Sequence, residues 1–179
     1  MTRIRYSFLK ILTGSDLSRR RLPFMAAHSP NPGPIVWLTA CGHGDEVGGI
    51  VIIQDIFKRI RKTGLRRGSI YAFPLMNPIG FESISRHITL SKEDLNRSFP
   101  GNKNGTLGER IADQIFTEIT ETEPTVVLDL HNDWIQSIPY TLIDKDSSSY
   151  PEEMGQKIRF FAMESGFLAI QDTEELTSG

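Results

Sequence analysis

One cysteine in 179 residues, Cys41, excludes an internal disulfide framework and fits a reducing compartment. An excess of positive charge is also missing. Twenty Lys and Arg against 22 Asp and Glu leave a net charge of −2, so no global field points to nucleic acid as a partner. The run Arg19-Arg20-Arg21 has no basic flank and reads as a solvated loop. No window approaches the ~18 uninterrupted apolar residues of a membrane span. The start, "MTRIRYSFLKILTG", has too short an apolar run for a signal peptide, and no small-residue cleavage site follows it. Repeats and low-complexity tracts are absent. These absences predict a cytoplasmic protein with neither a membrane nor a nucleic-acid partner, and they leave an oligomer open.

What is present is the composition of a folded domain: 39% hydrophobic residues, 23% charged residues, 10 Phe, 4 Tyr and 2 Trp. Such a length suits one domain, 1–179. Its first 34 residues read as irregular and end in the loop signal "HSPNPGP". "IVWLTA" (35–40) is apolar and partly β-branched, as a strand buried on both faces should be. Ile50, Ile53, Phe57 and Ile60 recur at helical spacing within 47–62, with Gly64 as a stop. "SIYAFPLM" (69–76) reads as a strand ending near Pro74. In "TLGERIADQIFTEIT" (106–120), Thr106 and Glu109 stand in capping-box register. "TVVLDLH" (125–131) reads as a second buried strand, "PYTLID" (139–144) as another strand, and "EEMGQKIRFFAMESG" (152–166) as a helix closed by Gly166. Alternating strands and helices predict an α/β domain with a mostly parallel sheet. The stretch Asn77–Gly105 has little periodicity, and loops of that length are usually functional.

In open α/β sheets, ligands bind where loops leave the carboxyl ends of strands. His43 and Glu46 follow strand 35–40, and His131 follows strand 125–130. Two ligands close in sequence plus one distant ligand suit a catalytic zinc, because three protein ligands leave a position open for water. Gly42 and Gly44 would let the backbone bend sharply at that turn. The competing reading of His43-x-x-Glu46 alone is a polar cap or surface pair. Asp129, two residues before His131, is either a support for the imidazole or a hydrogen-bonding core residue. Asn96 and Arg97 offer an amide and a guanidinium fork, suited to a substrate carboxylate, against the alternative of a cap turn with an exposed arginine. Arg86 and His87 lie earlier in the same loop. A Cys41/His131 nucleophilic dyad is conceivable, although Cys41 between Ala40 and Gly42 suits a small packed thiol. His28 and His87 lie in no partner pattern.

Taken in order, "GP" (33–34), "GHGDE" (42–46), "NP" (77–78), "DLNRSFPG" (94–101), "GERIA" (108–112) and "DLH" (129–131) resemble the succinylglutamate desuccinylase/aspartoacylase family, within the zinc carboxypeptidase-like hydrolases. The resemblance runs from about Pro30 to His131. It implies a three-layer α/β/α fold with a mixed, mostly parallel central sheet of the zinc-peptidase kind. It also implies one Zn2+ per chain, held by His43, Glu46 and His131. Asn96 and Arg97 would grip the substrate carboxylate, and Arg86 would polarise the scissile carbonyl.

The activity implied is removal of an acyl group from an N-acyl amino acid or related amide by metal-activated water. A zinc carboxypeptidase on short peptides and a catalytically deficient metal-binding module are the alternatives. The family's general-base glutamate comes from a strand well downstream of the "DLH" histidine, in a Thr-x-Glu context. Glu174 and Glu175, in "IQDTEELTSG", do not stand in such a strand and read as surface residues. The resemblance therefore implies a catalytic domain whose C-terminal part and general base lie beyond these residues. "DLHNDW" also departs from the Thr-rich continuation of several members, which leaves acyl and amino-acid specificity open.

Overall fold

In a computed structural model, the residues described are 1–13, 19–132, 137–143 and 150–172. The chain forms two compact units, Met1–Asn132 and Asp133–Gly179. Glu174 and Glu175 lie outside the described residues.

The first unit is built on β3 (Ile35–Ala40). Trp37 and Thr39 are buried on one face of this strand, and Leu38 and Ala40 on the other. Both faces are covered by helices, so the sequence shows a continuous apolar run rather than an alternation. On one side lies α1 (Gly48–Thr63), with Ile53, Phe57 and Ile60 packed against Leu38, Ala40 and Ala72. On the other lies α3 (Leu107–Thr120), whose Ile111, Ala112 and Ile115 join Trp37 and Phe73. The short helix α2 (Pro78–Glu82) and a 3-10 turn at Leu95–Arg97 sit between β4 (Ser69–Phe73) and α3. This is the expected layering.

The sheet is mixed, in the order β1-β2-β4-β3-β5. β3 pairs in parallel with β4 and with β5 (Val126–Leu130). The antiparallel half corrects the irregular reading of 1–34. β1 (Arg3–Thr13) and β2 (Arg19–His28) form a hairpin, and β2 pairs antiparallel with β4. Its strands hid in the sequence because both faces carry apolar side chains. Ile4, Met25 and Ala27 pack toward α1, and Leu9, Ile11, Leu22 and Phe24 pack toward α3, so no clean alternation marks them. Arg20, from the arginine run, pairs with Glu82 at 2.5 Å.

A second correction concerns β5. Its apolar run predicted burial, yet Val127 and Leu128 are 42% and 44% exposed. Among the described residues β5 pairs with β3 alone and forms the sheet edge.

The second unit holds β6 (Tyr140–Ile143), α4 (Glu152–Glu164) and β7 (Leu168–Gln171), with β6 and β7 parallel. Strand β7 is too short to stand out from its surroundings in sequence. Gly166 closes α4 at φ 73°, where an Ala would be strained.

At α3, Thr106 Oγ1 accepts from the Glu109 amide while the Glu109 carboxylate accepts from the Thr106 amide. Glu93 also reaches this end. Its carboxylate accepts from the Gly108 amide at 3.0 Å and from the Thr106 hydroxyl. Two carboxylates thus meet the positive end of the helix. Thr106→Ala is expected to cost about 1–2 kcal/mol, and Thr106→Ser to restore most of it, in urea unfolding followed by circular dichroism.

Candidate metal centre

The site begins with two turns that the sheet register brings side by side. In the parallel pairing of β3 and β5, Thr39 lies opposite Asp129 and Ala40 opposite Leu130. The turn carrying His43 and Glu46 and the turn carrying His131 therefore leave the same end of adjacent strands. The first turn bends at Cys41, the residue with φ 56°, and not at the neighbouring glycines. Gly44 is needed for space instead. A Cβ there would lie 2.1 Å from the Gly80 carbonyl carbon and 2.3 Å from the Phe81 nitrogen. The expected roles of Gly42 and Gly44 in a sharp bend are corrected accordingly.

Two backbone hydrogen bonds stitch this turn to the next loop. Met76 N–H donates to the Ala40 carbonyl at 3.0 Å, and Asn77 N–H to the Cys41 carbonyl at 2.9 Å. Asn77, 1% exposed, caps α2 through the Gly80 amide and reaches the Arg86 carbonyl. The loop bearing Arg86 is thus seated against the turn bearing His43.

Glu46 is the hub. Its Oε1 lies 2.5 Å from His43 Nδ1, and its Oε2 lies 2.8 Å from His131 Nδ1 and 2.9 Å from the Asn132 amide. One ligand atom from each of His43, Glu46 and His131 lies within 4.8 Å of the others. Each histidine also faces an aspartate on its far side. His131 Nε2 donates to Asp129 Oδ2 at 2.8 Å, and Asp129 Oδ1 accepts from the Thr39 hydroxyl at 2.7 Å. His43 Nε2 is buried with no hydrogen-bond partner among the described residues, although Asp94 Oδ1 stands 3.3 Å away at ion-pair distance. Arg86 closes the ring, with Nη2 3.3 Å from Asp94 Oδ2 and Nη1 3.8 Å from Glu46 Oε1. Side-chain exposure rises from 4% at His43 and 12% at Glu46 to 34% at His131 and 45% at Arg86. The cluster is anchored at its base and open on the side where a ligand would enter.

Burial alone would raise the Glu46 carboxyl, but the two imidazoles and the Asn132 amide hold it far below the usual carboxylate range. Asp129, likewise opposed by burial, is lowered by the His131 hydrogen bond. The hydrogen bonds to Asp129 and then Glu46 outweigh burial at His131 and push it up to about 10. An imidazole so placed holds a proton where a cation is wanted. The donor set of two imidazole nitrogens and one carboxylate suits zinc better than magnesium or calcium, which prefer oxygen ligands. The carboxylate behind His131 is the usual support of a ligating imidazole. The residues therefore fit a zinc ion.

Five residues singled out in the sequence come together here: His43, Glu46, His131, Asp129 and Arg86. Asn96 and Arg97 occupy the 3-10 turn opened by Asp94. Their side chains make no hydrogen bond or ion pair among the described residues, and Arg97 lines a groove of about 410 Å³ with Glu93, Phe99 and Thr106. That groove includes none of the His-Glu-His residues. His28 lies apart, 3.1 Å from Ser69 Oγ. Sequence reasoning gave no role to Asp94, Asn132 or Thr39. The signal for the first two was their place inside "DLNR" and directly after "DLH"; Thr39 had none beyond its place in a strand.

Cys41 is 1% exposed, and its thiol donates to the His43 carbonyl at 3.3 Å. Burial, then the nearby Glu46 and Asp45 charges, push its pKa up to about 12. Such a thiol stays protonated and unreactive at neutral pH, which argues against the cysteine dyad. Iodoacetamide at pH 8 is expected to leave Cys41 unmodified in the folded protein and to alkylate it in 6 M urea, read by intact-mass spectrometry.

A model of the succinylglutamate desuccinylase/aspartoacylase catalytic domain matches residues 32–174. The N-alpha-acetyl-L-2,4-diaminobutyric acid deacetylase of Halomonas elongata is 38% identical over 100 residues, which is 56% of this chain and 29% of that protein. An aspartoacylase family protein from Mesorhizobium loti superposes with a TM-score of 0.78 at 24% identity, covering 94% of this chain and 52% of that one. A metallo-carboxypeptidase from Burkholderia cenocepacia superposes at 0.69 with 17% identity, covering 95% and 49%. These two likenesses show the fold, one shared by an aspartoacylase family protein and a metallo-carboxypeptidase. The chain spans about half the length of both structures and less than a third of the deacetylase. With the match extending over most of its residues, the chain belongs to the succinylglutamate desuccinylase/aspartoacylase catalytic domain family.

Proposed function

We propose that this chain is the metal-binding part of a zinc-dependent amidohydrolase that removes an acyl group from an N-acyl amino acid or related amide. One observation carries the reading: His43 Nδ1 and His131 Nδ1 converge on the two oxygens of one carboxylate, Glu46. Family membership and the deacetylase relative support the reaction class.

His43, Glu46 and His131 would hold the ion, and Asp129 would fix the tautomer and orientation of His131. A zinc ion there supplies Lewis-acid activation of water and polarisation of the amide carbonyl. Arg86, beside Glu46 and open to solvent, stabilises negative charge developing on the carbonyl oxygen. Asn96 and Arg97, whose side chains are uncommitted among the described residues, take the substrate carboxylate, the guanidinium by a two-point contact. Among the described residues, the three carboxylates placed against the histidines are already engaged: Glu46 as a proposed ligand, Asp129 by Thr39 and His131, and Asp94 by Arg86 and the Asn96 amide. We therefore assign the general base to a carboxylate outside this cluster.

Metal analysis by plasma mass spectrometry tests the ligand set. The purified protein is expected to carry close to one zinc per chain and His43→Ala almost none; equal zinc in both would remove the assignment. His131, raised to about 10, would have to release a proton to serve as a ligand below that pH. Apparent affinity should therefore rise with pH, by roughly tenfold per unit for one proton released. Competition with a chelator of known pH dependence, between pH 6.5 and 9, reads this slope.

A further inference from the structure

A 16-residue helix, α1, begins beside the cluster with no cap of its own. Val47 at its N-cap position is helical in backbone (φ −91°, ψ −11°) and offers no side-chain acceptor. The first amides of such a helix need partners from elsewhere. Gly48 N–H finds one 84 positions away, donating to Asn132 Oδ1 at 2.8 Å. The Asn132 backbone N–H in turn donates to Glu46 Oε2 at 2.9 Å. One residue at the end of β5 thus holds Glu46 and Gly48, two positions apart, with its main chain and its side chain. The contact is close. A Cβ on Gly48 would stand 2.6 Å from Asn132 Nδ2 and 2.7 Å from Oδ1, so the amide rests on the bare glycine.

We propose that Asn132 is a positioning residue for the metal centre, which fixes Glu46 by capping α1 from the neighbouring strand. The inference rests on the metal reading above and adds a residue outside the proposed ligand set. Glu46 Oε1 meets one imidazole, and Oε2 meets the other together with the Asn132 amide. Its two oxygens are therefore told apart by their surroundings, and the carboxylate plane is set before an ion arrives. The side chain of Asn132 matters because it keeps the turn of residues 45–48 against β5. Without it, Glu46 keeps its chemistry but loses its fixed orientation. Partners that orient a ligand in this way typically contribute 10–100-fold to metal affinity.

Zinc affinity, measured by competition with a chromophoric chelator, tests the proposal in four proteins: wild type, Asn132→Ala, Asn132→Asp and Gly48→Ala. Asn132→Ala should bind zinc ~10–100-fold more weakly. Asn132→Asp keeps an acceptor suited to a helix N-cap and should recover most of the loss. Gly48→Ala supplies the check against simple destabilisation. Alanine favours the helix yet displaces the amide from its seat, so affinity should fall while helical circular dichroism does not. If the Asn132→Ala protein does not fold, the Gly48→Ala and Asn132→Asp proteins carry the test. Wild-type affinity in Gly48→Ala, or in a folded Asn132→Ala, overturns the positioning role and leaves the ligand assignment standing. Failure of the wild type to bind zinc, or binding unchanged in His43→Ala, overturns the ligand assignment and this inference with it.

Discussion

The parallel register of β3 and β5 is the constraint on which the site depends. Five paired positions, from Val36 with Val126 to Ala40 with Leu130, end both strands at the same level. Two turns far apart in sequence then emerge side by side, and Glu46 can meet both histidines. A register slip would move His131 along the sheet and turn Asp129 away from Thr39, since neighbouring strand residues face opposite sides. Burial fixes the alignment. Trp37 on one face and Leu38 and Ala40 on the other are packed between helices, so β3 cannot shift without exposing them.

Electrostatics at the centre follows from what that register brings together. Glu46, Asp94 and Asp129 crowd into one place, a costly arrangement for three carboxylates unless cations accompany them. Arg86 and the doubly protonated His131 answer part of that charge. The carboxylates are consequently held ionised against burial at Glu46 and Asp129. A divalent ion held by His43, Glu46 and His131, as proposed above, would complete that balance.

Much of this was legible in the sequence, for identifiable reasons. The helix periods of α1 and α3 and the capping box at Thr106 are local patterns, and they appear where the pattern put them. His43, Glu46 and His131 stood at predicted strand ends, so strand–loop logic placed them near one another. The hairpin β1–β2 was hidden because apolar side chains on both its faces erase the period of two. The exposure of β5 was hidden because an apolar run records composition and not which neighbours arrive. Asp94 and Asn132 were visible as letters, but their roles depend on partners 51 and 86 positions away, His43 and Glu46. The space requirement at Gly44 depends likewise on Gly80, a residue of another loop.

That contact between Gly44 and Gly80 has a consequence for molecular recognition. The backbone bearing Arg86 is held to the end of β3 by Met76 and Asn77 and lies close against Gly44, where no side chain intervenes. Its conformational entropy is lost when the chain folds, so a ligand meeting Arg86 has little backbone left to order. An arginine on a loop that had to close would use part of the contact free energy to immobilise that loop. Here that free energy stays available for discriminating between ligands, and selectivity becomes a matter of shape and charge rather than of folding around the guest.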